Sequence, residues 1–249
     1  MKAKKVLLAG ESWETFSTHL KGFDPFYTNS YEEAADWLIE ALEAAGFTVD
    51  FLPNHKAGRE FPQTIEEINE YSSVILSDIG ANTLLLHPDT FENSQPTPNR
   101  LKLLKEYVAE GGSLLMIGGY LSFQGIDGKA QYKDTPVEEI LPVSLMATDD
   151  RQEVPEGMNP KVISEHQVVA GLEQEWPMLL GYNKLQAKQE AEVLVVWEND
   201  PILVVGEYKQ GRTAAFASDC APHWGSNDFV EWDNYNKMWG QLVSWLSRI

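Results

Sequence analysis

The chain has 249 residues, 38 acidic against 19 basic, giving a net charge of -19, and it carries one cysteine. A surface this negative repels phosphate backbones and anionic lipid, so neither nucleic acid nor a membrane is an expected partner. A lone cysteine excludes an internal disulfide and a thiolate-cluster metal site, and it suits a reducing compartment, the cytoplasm.

Lys5 to Ala9 is a short apolar run ending at Gly10, far shorter than the core of a signal peptide or a membrane span, and it reads as a strand buried on both faces. Glu11 to Asn29 reads as a loop rich in Gly, Pro and aromatics. Ser30 and Glu33 have capping-box spacing ahead of Ala34, Trp37, Leu38, Ala41, Leu42 and Ala45, which recur at helical spacing until Gly46. Thr48 to Leu52 returns as a strand, and Thr64 with Glu67 caps a short helix carrying Ile65 and Ile68. Val74 to Leu76 is a third strand, followed by Ser77-Asp78. Asn99 caps a helix with Leu101, Leu104, Tyr107 and Val108 on one face, stopped by Gly111-Gly112. Ser113 to Ile117 is a fourth strand that runs into Gly118-Gly119-Tyr120, where a sharp strand-to-helix turn is expected.

From Tyr120 to Gln189 the pattern loosens into Pro-rich segments that read as inserted hairpins and loops. Val193 to Trp197, Ile202 to Tyr208 and Arg212 to Ala217 are strands again, the last two joined at Lys209-Gln210-Gly211, and a final helix aligns Tyr235, Met238, Trp239, Leu242, Val243 and Leu246. This alternation predicts one α/β domain over residues 1–249, a mostly parallel, doubly wound sheet of flavodoxin-like type with inserted β-hairpins.

Ligands of open α/β sheets sit beyond the carboxyl ends of the strands. The residues delivered there are Glu11, Ser12, Trp13 and His19 after the first strand and Asp78 after the third. The fourth strand delivers Gly119, Tyr120 and Ser122, and the last one Asp219, His223 and Trp224. Such a mixture suits proton transfer, the binding of a divalent metal or the holding of a polyhydroxylated ligand. Glu11 and Asp78 serve equally well as acceptors for loop amides, and Lys21 and Asp24 read more simply as solvated charges. His166 reads as a capping or packing residue, Cys220 as a buried inert thiol, and His55 and His87 have no supporting neighbours. Neither Gly pair is followed by Gly-Lys-Ser/Thr or fits a dinucleotide fingerprint, so nucleotide binding is not implied; no cofactor and no metal ligand is assigned.

The run Tyr107-Val108-Ala109-Glu110-Gly111-Gly112-Ser113-Leu114-Leu115-Met116-Ile117-Gly118-Gly119-Tyr120 resembles the helix, Gly-Gly and elbow strand of the class I glutamine amidotransferase-like superfamily. Within it the chain is most similar to the bacterial cytoplasmic family described as "putative glutamine amidotransferase", and Gly10-Glu11-Ser12-Trp13, His19-Leu20-Lys21-Gly22-Phe23-Asp24 and Asp219-Cys220-Ala221-Pro222-His223-Trp224-Gly225 add to the likeness over nearly the whole length. The resemblance implies the fold. An active amidotransferase has an elbow cysteine in Gly-x-Cys-x-Gly and a histidine in Phe-His-Pro-Glu, whereas here the elbow reads Gly118-Gly119-Tyr120-Leu121-Ser122 and the late strand continues as Ser218-Asp219. Without an elbow thiolate, ammonia release through a thioester is not available by that route. Glu11 resembles a strand-one glutamate that contacts the elbow cysteine in the peptidase and chaperone branch.

Two readings follow. In the first, a thiol-free pocket under Tyr120 binds a small polar ligand such as a carbohydrate derivative, and any hydrolase or lyase chemistry runs through Glu11, Tyr120, Asp219 or His223. In the second, the fold has lost its chemistry and serves as a scaffold or oligomerisation module. A third route, glutaminase chemistry through Cys220, predicts inactivation by a glutamine-analogue alkylator. Superfamily relatives often pair through exposed faces, and the loop carrying Phe23, Phe26 and Tyr27 offers such a face for a homo-oligomer.

Overall fold

A computed structural model describes residues 4–249. The chain opens with β1 (Lys5–Gly10) and a long hairpin, β2 (Ser12–Lys21) and β3 (Asp24–Glu33), then α1 (Asp36–Ala44), β4 (Thr48–Leu52), α2 (Asn54–Glu60), α3 (Ile65–Ile68) and β5 (Ser73–Ser77). Three helices, α4 (Ala81–Leu85), α5 (Pro88–Asn93) and α6 (Arg100–Ala109), lead to β6 (Ser113–Ile117). The inserted region holds α7 (Pro136–Ile140), β7 (Val143–Ser144), β8 (Arg151–Met158), β9 (Lys161–Val162), β10 (Leu179–Asn183) and β11 (Gln186–Ala187). The chain closes with β12 (Glu192–Trp197), β13 (Asp200–Tyr208), β14 (Gly211–Phe216), α8 (Asn227–Val230) and α9 (Tyr235–Ser247).

Eight strands form one sheet in the order β4-β1-β5-β6-β14-β13-β12-β9. The first five run parallel and the last three are antiparallel additions. Every residue of β5 and β6 is buried, as their unbroken apolar runs require when helices cover both faces. One helical layer pairs α1 with α9, and another joins α2, α4, α6 and α7. The five parallel strands follow the flavodoxin-like order, in which the chain steps from β1 out to β4 and then back past β1 to β5. The switch point therefore lies between β1 and β5.

Thr64 and Glu67 form the expected capping box, Asn99 caps α6 through Leu101 and Lys102, and His166 accepts from the Val168 amide as a cap. Three expectations are corrected. The segment after Glu11 is a ten-rung antiparallel ladder, not a loop, with Ser12 opposite Glu33 and Lys21 opposite Asp24 across the two-residue turn Gly22-Phe23. Ser30 and Glu33 consequently belong to β3 and cap nothing; α1 begins after Ala35, which makes no side-chain cap. The bend after β6 opens into turns and a short 3-10 segment at Ile126–Gly128, because Asp150 takes the Gln124 and Gly125 amides that an elbow helix would have engaged.

Candidate functional site

Gly10 ends β1 opposite Ser77, the last residue of β5. Its φ is +119°, and a Cβ there would lie 1.6 Å from the Ser77 carbonyl oxygen, so no other residue fits this close approach. The next residue on each strand takes a left-handed backbone, Glu11 at φ +45° and Asp78 at +46°. Such conformations cost about 1–3 kcal/mol each for non-glycine residues and gather at functional sites. They turn both carboxylates into one crevice at the switch point.

The third side of the crevice is the bend after β6. Gly119 has φ +140°, and its amide donates to Oδ1 of the buried Asn183 at 3.0 Å while its carbonyl accepts from Nδ2 of the same residue at 3.2 Å. Asn183 also donates to Asp150 at 2.8 Å. Beyond the bend, the Leu121 amide donates to Oδ1 of Asp78 at 2.6 Å, and the Asp78 amide donates to the Ser122 hydroxyl at 3.1 Å. The fourth side follows β14, where Asp219 is buried and its Oδ2 lies 3.6 Å from Nδ1 of His223.

These elements enclose a cavity of about 570 Å³ lined by Glu11, Asp78, Asp219 and His223 and by the apolar surfaces of Trp13, Tyr120, Leu121, Ile126 and Pro222. The Tyr120 ring meets the His223 and Trp224 rings edge-on at 4.5 and 5.6 Å. Glu153 on β8 fixes this aromatic wall, accepting from the Tyr120 hydroxyl through one oxygen and from the Trp224 indole through the other, both at 3.0 Å. The guanidinium of Arg151 rests over the Tyr120 ring.

Burial pushes the Glu11 carboxyl well above the ordinary carboxylate range, and the Asp219 and Asp78 charges push it the same way. Asp78 is pushed up to about 6 by burial and by Asp219. His223 is raised by the adjacent Asp219 carboxylate. The pocket thus sets side by side a carboxyl raised by burial, a second that titrates near 6 and an imidazole raised by its acidic neighbour, which is the spread of acidities that acid–base chemistry uses.

Most of the residues expected at the rim meet here: Glu11, Trp13, Asp78, Tyr120, Asp219 and His223 line the cavity. Gly119, Ser122 and Trp224 stand behind it and shape it. Ser12 is buried at the root of the hairpin, where its hydroxyl accepts from the Asn54 amide and its carbonyl from Nδ2 of Asn54. His19 is not brought to the cavity; it lies near the hairpin tip, stacked on Phe26 at 4.4 Å and within hydrogen-bond distance of Thr28. Asn54, Asp150, Glu153 and Asn183 are contributors that the sequence reading did not single out.

Cys220 is not among the residues that line the cavity, but it is fully buried close by, and Glu11, Asp219 and Cys220 each place a potential ligand atom within 4.8 Å of the others. The Ser77 hydroxyl, which donates to Glu11, also lies 3.8 Å from Sγ of Cys220. Burial and the neighbouring Glu11 carboxyl push the thiol's pKa well up. A nucleophilic cysteine must be deprotonated, so the raised pKa disfavours that role for Cys220 in the folded chain.

Residues 5–248 match the family described as "putative glutamine amidotransferase". The chain belongs to that family. It is 47% identical to the cytoplasmic protein STM3548 from Salmonella typhimurium, covering 97% of this chain and 98% of that one with a TM-score of 0.94. The cytoplasmic protein STM1381 from Salmonella typhimurium LT2 is 46% identical over 97% and 99% of the two chains, again at 0.94. A thua-like protein from Bacteroides uniformis shares the fold alone, at 14% identity and a TM-score of 0.52 over 96% and 91% of the chains. No functionally curated protein matches this chain. Among the described residues no helix of this family member is long and apolar enough to cross a membrane.

Proposed function

We propose that this member of the family is a cytoplasmic protein that binds a small, neutral, polyhydroxylated ligand such as a carbohydrate derivative in the switch-point cavity, where Glu11, Asp78, Asp219 and His223 hold and move protons on it. The observation that carries the reading is the convergence of these four groups from three strand ends on one aromatic-walled cavity. The lining includes three carboxylic acids and neither lysine nor arginine. A phosphorylated or carboxylated ligand would meet a lining of three acids with the His223 imidazole alone to offset them, whereas hydroxyl groups donate to carboxylates and the Tyr120 and Trp13 rings pack on the apolar face of a sugar.

Where a reaction follows, Glu11, whose pKa burial raises, donates and Asp78 accepts, so a hydrolase or lyase suits the site better than transfer through a thioester. The compartment named for both near relatives and the single cysteine support the cytoplasmic assignment.

The test is a melting-shift screen with neutral monosaccharides and polyols, repeated on Asp219→Ala and His223→Ala. A ligand that raises the melting temperature of the parent chain but not of the folded variants supports the reading. Absence of any shift, or a shift that both variants retain, overturns it in favour of a scaffold.

A further inference from the structure

The hairpin of β2 and β3 leaves the body as a two-stranded ribbon with no third strand on either edge. A ten-residue strand reaches about 34 Å, and a lone two-stranded ribbon is only marginally stable in water. This one also exposes large apolar groups. Phe16, Leu20 and Tyr27 are each 74% exposed, and Phe23 at the tip is fully exposed. Residues opposite each other in the ladder share a face, so the pairs Phe16↔Asn29, Thr18↔Tyr27 and Leu20↔Pro25 place Phe16, Leu20 and Tyr27 on one side, while the stacked His19 and Phe26 occupy the other.

We infer that the ribbon is an arm exchanged between two copies of this chain, each arm lying across the body of the other. Two observations favour a second copy. The first is charge: from Thr15 to Tyr31 the full charges are Lys21 and Asp24, directly opposite one another, so the outer part of the arm is neutral in a chain of net charge -19, and its acids Glu14, Glu32 and Glu33 lie at the root. Two such acidic bodies can therefore meet through this segment without the repulsion that opposes contact elsewhere. The second is area. Exposed aromatic and leucine side chains of this number offer roughly 800 Å² of arm surface, and a reciprocal exchange buries two arms against as much body surface, about 3,200 Å² in all, the range of permanent homodimers. A single arm docked on an unrelated protein would bury half of that. Exchange is isologous, the closed arrangement most soluble dimers adopt.

The arm is rooted in the cavity, since Trp13 and Ala34 at its two ends line it. The inference is nonetheless independent of the ligand proposed above.

Sedimentation equilibrium of the full chain at about 10 µM reads the outcome. The expected mass is twice the 28.0 kDa of one chain. Phe23→Asp alters a side chain with no packing to lose, and it should weaken dimerisation at least about tenfold. The double variant Phe16→Asp/Tyr27→Asp should be monomeric with an unchanged circular dichroism spectrum. A monomeric parent chain overturns the inference, as does a dimer whose affinity survives Phe23→Asp.

Discussion

Nδ1 of His223 lies 3.6 Å from Oδ2 of Asp219, four residues earlier in the turn that follows β14. Asp219 is almost fully buried while the imidazole reaches the cavity, so the carboxylate sets the protonation of a ring that a ligand can touch. The raised pKa of His223 depends first on this neighbouring carboxylate. Asp219→Asn should accordingly lower the His223 midpoint, seen as a shift of its imidazole proton resonances in an NMR titration. A midpoint that stays in place would show that another group holds the cation.

Asp78 gives a sign to the pH dependence of stability. Its folded pKa of about 6 exceeds the ordinary value of 3.8, so between those values the folded chain binds the proton that the unfolded chain has released, and stability falls as pH rises. The raised His223 adds a contribution present below its unfolded pKa and lost as pH climbs through the folded one, in the same direction. Asp78→Asn keeps an acceptor for the Leu121 amide and removes the buried charge. It should stabilise the protein at pH 7 by up to about 3 kcal/mol and flatten the decline between pH 4 and pH 7. Urea melts across that range check both outcomes.

Gly119 is held on two sides. A Cβ there would lie 2.8 Å from Oδ1 of Asp78, at a φ of +140° that other residues avoid. Gly119→Ala should cost about 1–3 kcal/mol and displace the Asp78 carboxylate. Asn183→Ala should cost a similar amount, about 1–3 kcal/mol, by leaving the Gly119 amide and Asp150 without their partner. In both cases the denaturation midpoint should fall with its slope preserved.

Cys220 should be inert in the folded protein. Its sulfur is buried and its pKa is raised, so iodoacetamide should modify it only after unfolding. Mass spectrometry before and after denaturation decides the point. Modification of the native chain by a glutamine-analogue alkylator would revive the glutaminase route through this residue.

The parallel framework was legible because β1, β5, β6 and β14 are apolar runs with turn-forming ends, and a strand that ends at the switch point delivers its next residue to the ligand. Glu11 and Asp78 follow that rule directly, and Tyr120, Asp219 and His223 lie a few residues further along the segments that leave β6 and β14. The hairpin was not legible: Glu11 to Asn29 lacks the alternation of a half-buried strand, since a ribbon exposed on both faces has no buried face to mark. The one local sign was glycine first in the two-residue turn Gly22-Phe23, flanked by the opposed charges Lys21 and Asp24. Asp150, Glu153 and Asn183 were missed for a different reason. Their partners at Gly125, Tyr120 and Gly119 lie 25 to 64 residues away, and such pairings are made by the tertiary fold rather than by spacing.

Glu11 and Asp78 emerge from paired neighbouring strands with nearly identical left-handed turns, φ +45° and +46°. The placement of the two acids is thereby written into the pairing of Gly10 with Ser77 rather than into either side chain. An engineer who wished to transplant this pair of acids into another scaffold would have to carry the two strand ends and their glycine along with it, because a carboxylate grafted onto an ordinary extended terminus would face a different direction.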